Sequence, residues 1–187
     1  TVVVSAKPVI SLQAGSFCAS GSISLASLLT SDNKDGIWTI SSGTGTISDG
    51  KLLSSTAGDV TLKYTLSYGE GCSTFSEVKV TVNALPVVTA NANQAVCYDA
   101  SVTLTGSGAK TYVWDNGISN GVAFLAKTTT TYQVTGTAEN GCTNTASSTV
   151  TVNALPTVTA TADKTVCYDT EITLNGGGAT SYVWDNS

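Results

Sequence analysis

The sequence reads as an all-β protein made of small sandwich domains in tandem, and three observations lead there. Short segments alternate apolar and polar residues with period two, as in Val102-Thr103-Leu104 and Tyr132-Gln133-Val134. The composition suits pleated sheets: 31 Thr, 18 Gly and only 11% charged residues, against about 25% in an average globular chain. β-branched side chains pack well on strands and Gly serves the turns. Finally, the sequence repeats itself. VNALP at Val82–Pro86 returns at Val152–Pro156, VCYD at Val96–Asp99 returns at Val166–Asp169, and YVWDN at Tyr112–Asn116 returns at Tyr182–Asn186, each displaced by 70 residues. Residues 82–117 and 152–187 share 23 identities in 36 positions without a gap, so the chain is a tandem array.

The three prolines, Pro8, Pro86 and Pro156, each follow a Val-rich segment. Proline donates no backbone hydrogen bond and fixes φ, so it closes one unit and stiffens the start of the next. The divisions follow. Residues 1–8 read as the end of a preceding strand or a linker, 9–85 as domain one, 86–155 as domain two, and 156–187 as the N-terminal part of a third domain. Domain one is the distant relative. Its Cys18 to Cys72 interval is 54 residues, against 45 from Cys97 to Cys142, and the extra residues are expected around Ser31–Gly50, where Asp and Gly cluster.

Domain two displays the strands most clearly. Val102 and Leu104, Tyr112 and Trp114, Val122 and Phe124, Tyr132 and Val134, and Val150 and Val152 mark successive half-buried strands, expected to be antiparallel. Asn140-Gly141 is a hairpin signal between the last two, because both residues tolerate the positive φ of a tight turn. Six or seven strands in about 70 residues make a β-sandwich. No segment carries helix-capping signals. Domain three breaks off after its YVWDN strand, so by the repeat it lacks about forty residues, among them a partner for Cys167 near position 212. With no starting Met and no leader-like segment, the chain is expected to be an interior piece of a longer protein.

Cysteine and tryptophan alternate as Cys18, Trp38, Cys72 and again as Cys97, Trp114, Cys142. This order resembles the immunoglobulin pattern of two bridged cysteines around a core Trp, with one departure: the second cysteine lies just beyond the Asn-Gly hairpin and not two residues after a strand Tyr, so the bridge is expected to tie an end loop to the last hairpin. The expected bridges are Cys18 to Cys72 and Cys97 to Cys142, with Cys167 unpaired in this chain. Closing a 45-residue loop contributes roughly 4 kcal/mol on the chain-entropy model. Reduced thiols and a metal site are the competing readings, and neither shows the short CxxC spacing of a zinc site. Bridged cysteines imply an oxidising, exported setting. Trp38, Trp114, Tyr132 and Trp184 are the expected core aromatics.

Several function classes are excluded. There is no His and no Arg, so a Ser-His-Asp or Cys-His nucleophile system and a His-held catalytic zinc cannot be built. Eight Lys against 13 acids give a net charge of −5, with no basic stripe for phosphates, which argues against a nucleic-acid partner. No apolar run approaches the ~20 residues of a membrane helix. Four Glu, none in a cleft motif, leave no pair of carboxylates arranged for glycoside hydrolysis. No cofactor is implied.

The motifs VNALPxVTA, VCYD, TLxGxGA, YVWDN and the run TTTYQVTGTAENGCTNTASSTVTVNALP resemble the tandem Ig-like repeats of very large surface and secreted proteins of Bacteroidota. These include gliding-motility-type adhesins and substrates of type IX secretion. The resemblance covers domains two and three closely. Domain one, with GIWTISSGTGTISDGKLLSSTAGDVTLKYT, is similar to bacterial Ig-like modules that mix with them. It implies a secreted or cell-surface stalk that spaces or presents a binding tip, with neighbouring repeats as its contacts, other copies in a surface fibre, and a glycan or cell-surface ligand at the tip.

Several residues admit a site reading on that background. Ser31, Asn33, Asp35 and Gly36 imitate part of a calcium loop, but Ser42 stands where the twelfth-position Glu belongs, so a surface turn is the favoured reading and no metal is assigned. Asp115-Asn116 and Asp185-Asn186 could hold a sugar or metal, but Asp and Asn also start turns by bonding their own backbone. Tyr98 and Tyr168, with Trp114 and Trp184, raise the alternative of a carbohydrate-binding module accessory to a secreted enzyme, since aromatic faces stack on sugars. Core packing is the competing reading for the Trp pair. Last, Leu85 and Leu155, apolar within the connectors Asn83–Pro86 and Asn153–Pro156, are expected to tuck into the junctions with Pro86 and Pro156. Such connectors are too short and too poor in Gly and Ser for flexible linkers, which predicts an end-to-end array.

Overall fold

In the computed structural model the described residues are 4, 6–185 of the chain; part of the expected leading segment 1–8 and Asn186 of the YVWDN copy lie outside them. Apart from a 3-10 turn at Leu25–Leu28, the regular structure of these residues is β. Unit one comprises β1 (Gly15–Cys18), β2 (Gly21–Ser24), β3 (Ile37–Ser42), β4 (Thr46–Ser48), β5 (Lys51–Ser54), β6 (Gly58–Tyr68) and β7 (Cys72–Asn83). Unit two comprises β8 (Gln94–Cys97), β9 (Ala100–Thr103), β10 (Thr111–Trp114), β11 (Ala123–Ala126), β12 (Thr130–Thr137) and β13 (Thr143–Asn153). In the remainder, β14 (Thr159–Ala160) pairs with β15 (Gly176–Gly177).

Each unit is two facing sheets. One runs β1-β7-β6-β3 and its counterpart β8-β13-β12-β10; across from them lie β2-β5-β4 and β9-β11. The extra length of unit one supplies β4, the 3-10 turn and a longer β6–β7 hairpin. The period-two pattern is realised on the inner faces. In β6, Val60, Leu62, Tyr64 and Leu66 are buried, and in β12, Tyr132 and Val134 are. Alternate Cβ atoms of a strand point to opposite faces, so these residues line one core each. In unit one Leu25, Leu28, Leu52, Val60, Leu62, Val78, Val80 and Val82 pack together; in unit two Val102, Leu104, Trp114, Tyr132, Val134 and Val150 do.

The expectation that all pairings are antiparallel needs one correction. The first strand of each unit lies parallel to the last, with Cys18 opposite Asn83 in β1·β7 and Cys97 opposite Asn153 in β8·β13. Alternation reports which face is buried and carries no information on strand direction. The parallel pairing arises because the chain turns away after β1 to enter the facing sheet as β2, so β1 and β7 both run toward the same end of the sandwich.

Candidate functional site

That end is where the two units meet. The connector Asn83-Ala84-Leu85-Pro86 leaves β7 beside β1, and the Asn83 carbonyl accepts the Ala19 amide at 2.8 Å. From unit two, the β12–β13 hairpin reaches back. Its Gly141 takes φ +82° and its turn closes through the Ala138 amide on the Cys142 carbonyl. Asn140 Nδ2 donates to the Ala84 carbonyl at 3.4 Å and Asn144 Nδ2 to the Pro86 carbonyl at 3.0 Å. Two asparagine side chains thus bond connector carbonyls that have no strand partner, the one at buried Pro86 being of the kind that needs such a partner. Pro86 is buried and Leu85 half-buried.

Cys18 and Cys142 are bonded across this junction, with Cα atoms 5.6 Å apart and a sequence separation of 124. The expected pairs Cys18–Cys72 and Cys97–Cys142 do not form; Cys72, Cys97 and Cys167 are free and exposed. The cause is strand length. Cys18 is level with Asn83 at one end of β7, whereas Cys72 begins that strand, and its 12 residues span roughly 36 Å at about 3.3 Å per residue. Cys97, level with Asn153, is likewise at the far end of β13 from Cys142. Cysteines with Cα atoms beyond about 7 Å cannot be bridged. The Cys-Trp-Cys order suggested pairing inside each unit because it says nothing about which pole each cysteine occupies.

Just beyond the connector, Gly108 sits at φ +88° against the backbone of Val87: a Cβ there would lie 1.8 Å from the Val87 carbonyl oxygen. Its copy Gly178 meets the Thr157 carbonyl at the same 1.8 Å. Thr89 and Ser107 bridge through both backbone and hydroxyls beside it. Unit two and the segment after it therefore each begin by laying the connector tightly onto a glycine turn.

The other singled-out residues are dispersed. Trp114 and Tyr132 are buried, while Trp38 is half-buried and packs on Tyr64 with ring centroids 4.8 Å apart. Trp184, expected in a core, is 47% exposed, and Leu155 and Pro156 are exposed as well. Among the described residues beyond Pro156, nothing corresponds to β12 and β13, the strands that cover Trp114 in unit two and whose hairpin closes over Leu85 and Pro86. Asp115 acts as a turn residue: its Oδ1 accepts the Gln133 amide at 3.0 Å, and Asn116 takes φ +54°. Asp185 is exposed. In the Ser31–Gly36 loop, Asn33 Nδ2 donates to the Val9 carbonyl. The buried Tyr64 hydroxyl donates to the Asn33 carbonyl at 2.8 Å and accepts the Gly36 amide at 2.7 Å. The loop is thus shaped by a tyrosine clamp. Tyr98 and Tyr168 are exposed, one on unit two and one on the segment after it.

Sequence reasoning missed Tyr64, Asn120 and Asn144, and gave Asn140 a turn but not its bond to the connector. Tyr64 stood in plain alternation, where it reads only as core. A similar hydroxyl clamp recurs at Tyr112 on Ala109 and at Tyr182 on Ala179, so the conserved spacing between the two copies was the available signal.

The fold is that of Ig-like β-sandwich domains. No known family's sequence model matches the chain, and no curated protein matches it by sequence. The likeness to solved structures is distant. The N-terminal eight Ig domains of Down Syndrome Cell Adhesion Molecule align with 82% of this chain and 29% of theirs, at 15% identity and a TM-score of 0.32. The Ig1-2 module of the Drosophila Receptor Protein Tyrosine Phosphatase DLAR aligns with 77% of this chain and 95% of its own, at 11% identity and a TM-score of 0.30. SGBP-B of the Bacteroides ovatus mixed-linkage glucan utilization locus, solved with a heptasaccharide, aligns with 73% and 42%, at 21% identity and a TM-score of 0.25. The chain spans between 29% and 48% of the length of the first three structures matched. Among the described residues no helix is long and apolar enough to cross a membrane.

Proposed function

We propose that the chain is a non-catalytic stalk segment of an extracellular protein, whose repeated sandwiches space or present a binding tip at the cell surface, alone or within a fibre. The observation that carries this reading is the Cys18–Cys142 bond between consecutive units. A bond inside a domain stabilises that domain; a bond between domains holds their mutual orientation. The four-residue connector, with Pro86 buried and two of its carbonyls bonded by Asn140 and Asn144, supports the same restraint. A disulfide also suits an oxidising compartment, hence secretion or surface display. Ligand binding, to a glycan or a cell-surface molecule, then belongs to the tip.

Small-angle scattering of the oxidised chain tests the reading. An elongated particle with a narrow distance distribution is expected. A compact particle, or the broad profile of freely jointed domains, overturns it.

A further inference from the structure

Three thiols stand outside the bond just described, and two of them occupy positions with an exact structural counterpart in it. Cys97 repeats the setting of Cys18. Each ends the first strand of its unit, level with the last Asn of the final strand, Asn83 or Asn153. Each is followed by an amide that donates to that Asn carbonyl, Ala19 at 2.8 Å and Tyr98 at 2.9 Å. Two residues on, the backbone turns through the same positive φ, +65° at Ser20 and +65° at Asp99. Cys72 in turn repeats the setting of Cys142, following a glycine of positive φ, Gly71 or Gly141, at the tip of the hairpin into the final strand. The connector beyond Cys97, Asn153-Ala154-Leu155-Pro156, has the same sequence as the one that Cys18 flanks.

We infer that the cysteines form a ladder of staples offset by one unit: the first cysteine of each unit bonds the second cysteine of the unit that follows. Cys97 is the unit-two half of the next staple, and its partner is the hairpin cysteine of a complete copy of this module seated on the Asn153–Pro156 connector. Cys72 is the receiving half for the first cysteine of a copy on the other side of unit one. Both thiols are exposed because their strands deliver them to the two poles, and the strand lengths that forbid pairing within a unit leave a neighbour as the partner within reach. Each staple joins two thiols with loss of two protons and two electrons, which pass to an external disulfide oxidant that is reduced to two thiols.

This inference rests on the reading of the chain as a tandem array, and its test separates the two. Residues 86–155 are duplicated in tandem between Leu155 and Pro156, and the chain is equilibrated with oxidised and reduced glutathione. Alkylation and peptide mapping without reduction follow. The expected map holds Cys18–Cys142 and a second bond from Cys97 to the hairpin cysteine of the inserted copy, so both of those thiols lose alkylation. In the Cys97→Ser variant the inserted hairpin cysteine regains alkylation while Cys18–Cys142 persists. Cys97 still alkylated, or bonded to Cys142 of its own unit, overturns the ladder. The unextended chain gives an independent arm: under the same oxidant Cys97 and Cys72 stay alkylatable, and bonding of either to Cys142 or Cys18 overturns the proposal. Scattering of the same samples reports the rod separately, since a ladder on a compact particle refutes only the stalk.

Discussion

Trp114 and Asn120 are locked together across a short turn: the indole Nε1–H donates to Asn120 Oδ1 at 2.9 Å. The same oxygen accepts the Gly106 amide at 2.6 Å. One carboxamide therefore seats the core indole and pins the loop that precedes β10. Asn120→Leu leaves both donors without an acceptor, which costs about 1–3 kcal/mol for each unmet partly buried group. Urea unfolding is expected to show that loss. Asn120→Asp, which keeps an acceptor oxygen, is expected to recover most of it.

Gly108 and Gly117 both have positive φ, +88° and +72°, yet a Cβ meets the Val87 carbonyl at the first and open space at the second. Gly117→Ala is expected to cost only the left-handed penalty of about 1–2 kcal/mol. Gly108→Ala adds a backbone collision at the start of the unit and is expected to cost more. Thermal denaturation of the two variants side by side checks the order.

Asp59 is held by Lys79 at 2.6 Å and by the Thr81 hydroxyl at 3.0 Å, and these hydrogen bonds lower its carboxyl below its ordinary value of 3.8. A depressed carboxyl contributes stability above its unfolded pKa and loses it as pH falls through the folded one. The pair is solvent-exposed, so its effect on stability is small and screened by salt. Lys79→Ala is expected to move the Asp59 titration upward, followed by carboxyl NMR between pH 2 and 6, a window set by about two units around the ordinary value.

Reduction of Cys18–Cys142 is expected to remove up to about 5 kcal/mol, the chain-entropy value for a loop of this size. Alkylation before reduction should mark Cys72, Cys97 and Cys167 and spare Cys18 and Cys142. Loss of the bond should leave each sandwich intact, because neither core contains it, and should separate their unfolding transitions in calorimetry.

How far the sequence could be read depended on what each pattern measures. Val102, Leu104, Tyr132, Val134 and Val150 alternate, and alternation is a direct record of burial, so the strands of unit two and their inner faces were legible. The 70-residue repeat marked the modules for the same reason. Direction was hidden, since the pleat of β8 looks the same whether it runs with β13 or against it. Cysteine pairing was hidden more deeply. It depends on the pole at which Cys18 or Cys97 leaves its sheet, which follows from the parallel placement of β1 and β8. Asn140 was legible only as a turn residue and Asn144 carried no signal, although their side chains hold the connector.

The bond between the units also decides what a pulling force can reach. Tension applied to the two ends of the chain runs from the start to Cys18, crosses to Cys142 and continues from there. The intervening chain, with a sequence separation of 124 residues, lies off that path. At roughly 3.4 Å per extended residue, about 400 Å of contour is withheld from stretching while the bond persists. The tension line passes along β1 and β13, while β2 through β12 lie off it and feel no direct pull. Reductant acts as a release catch: in a single-molecule experiment its addition should convert a short, stiff tether into one that lengthens by domain unfolding.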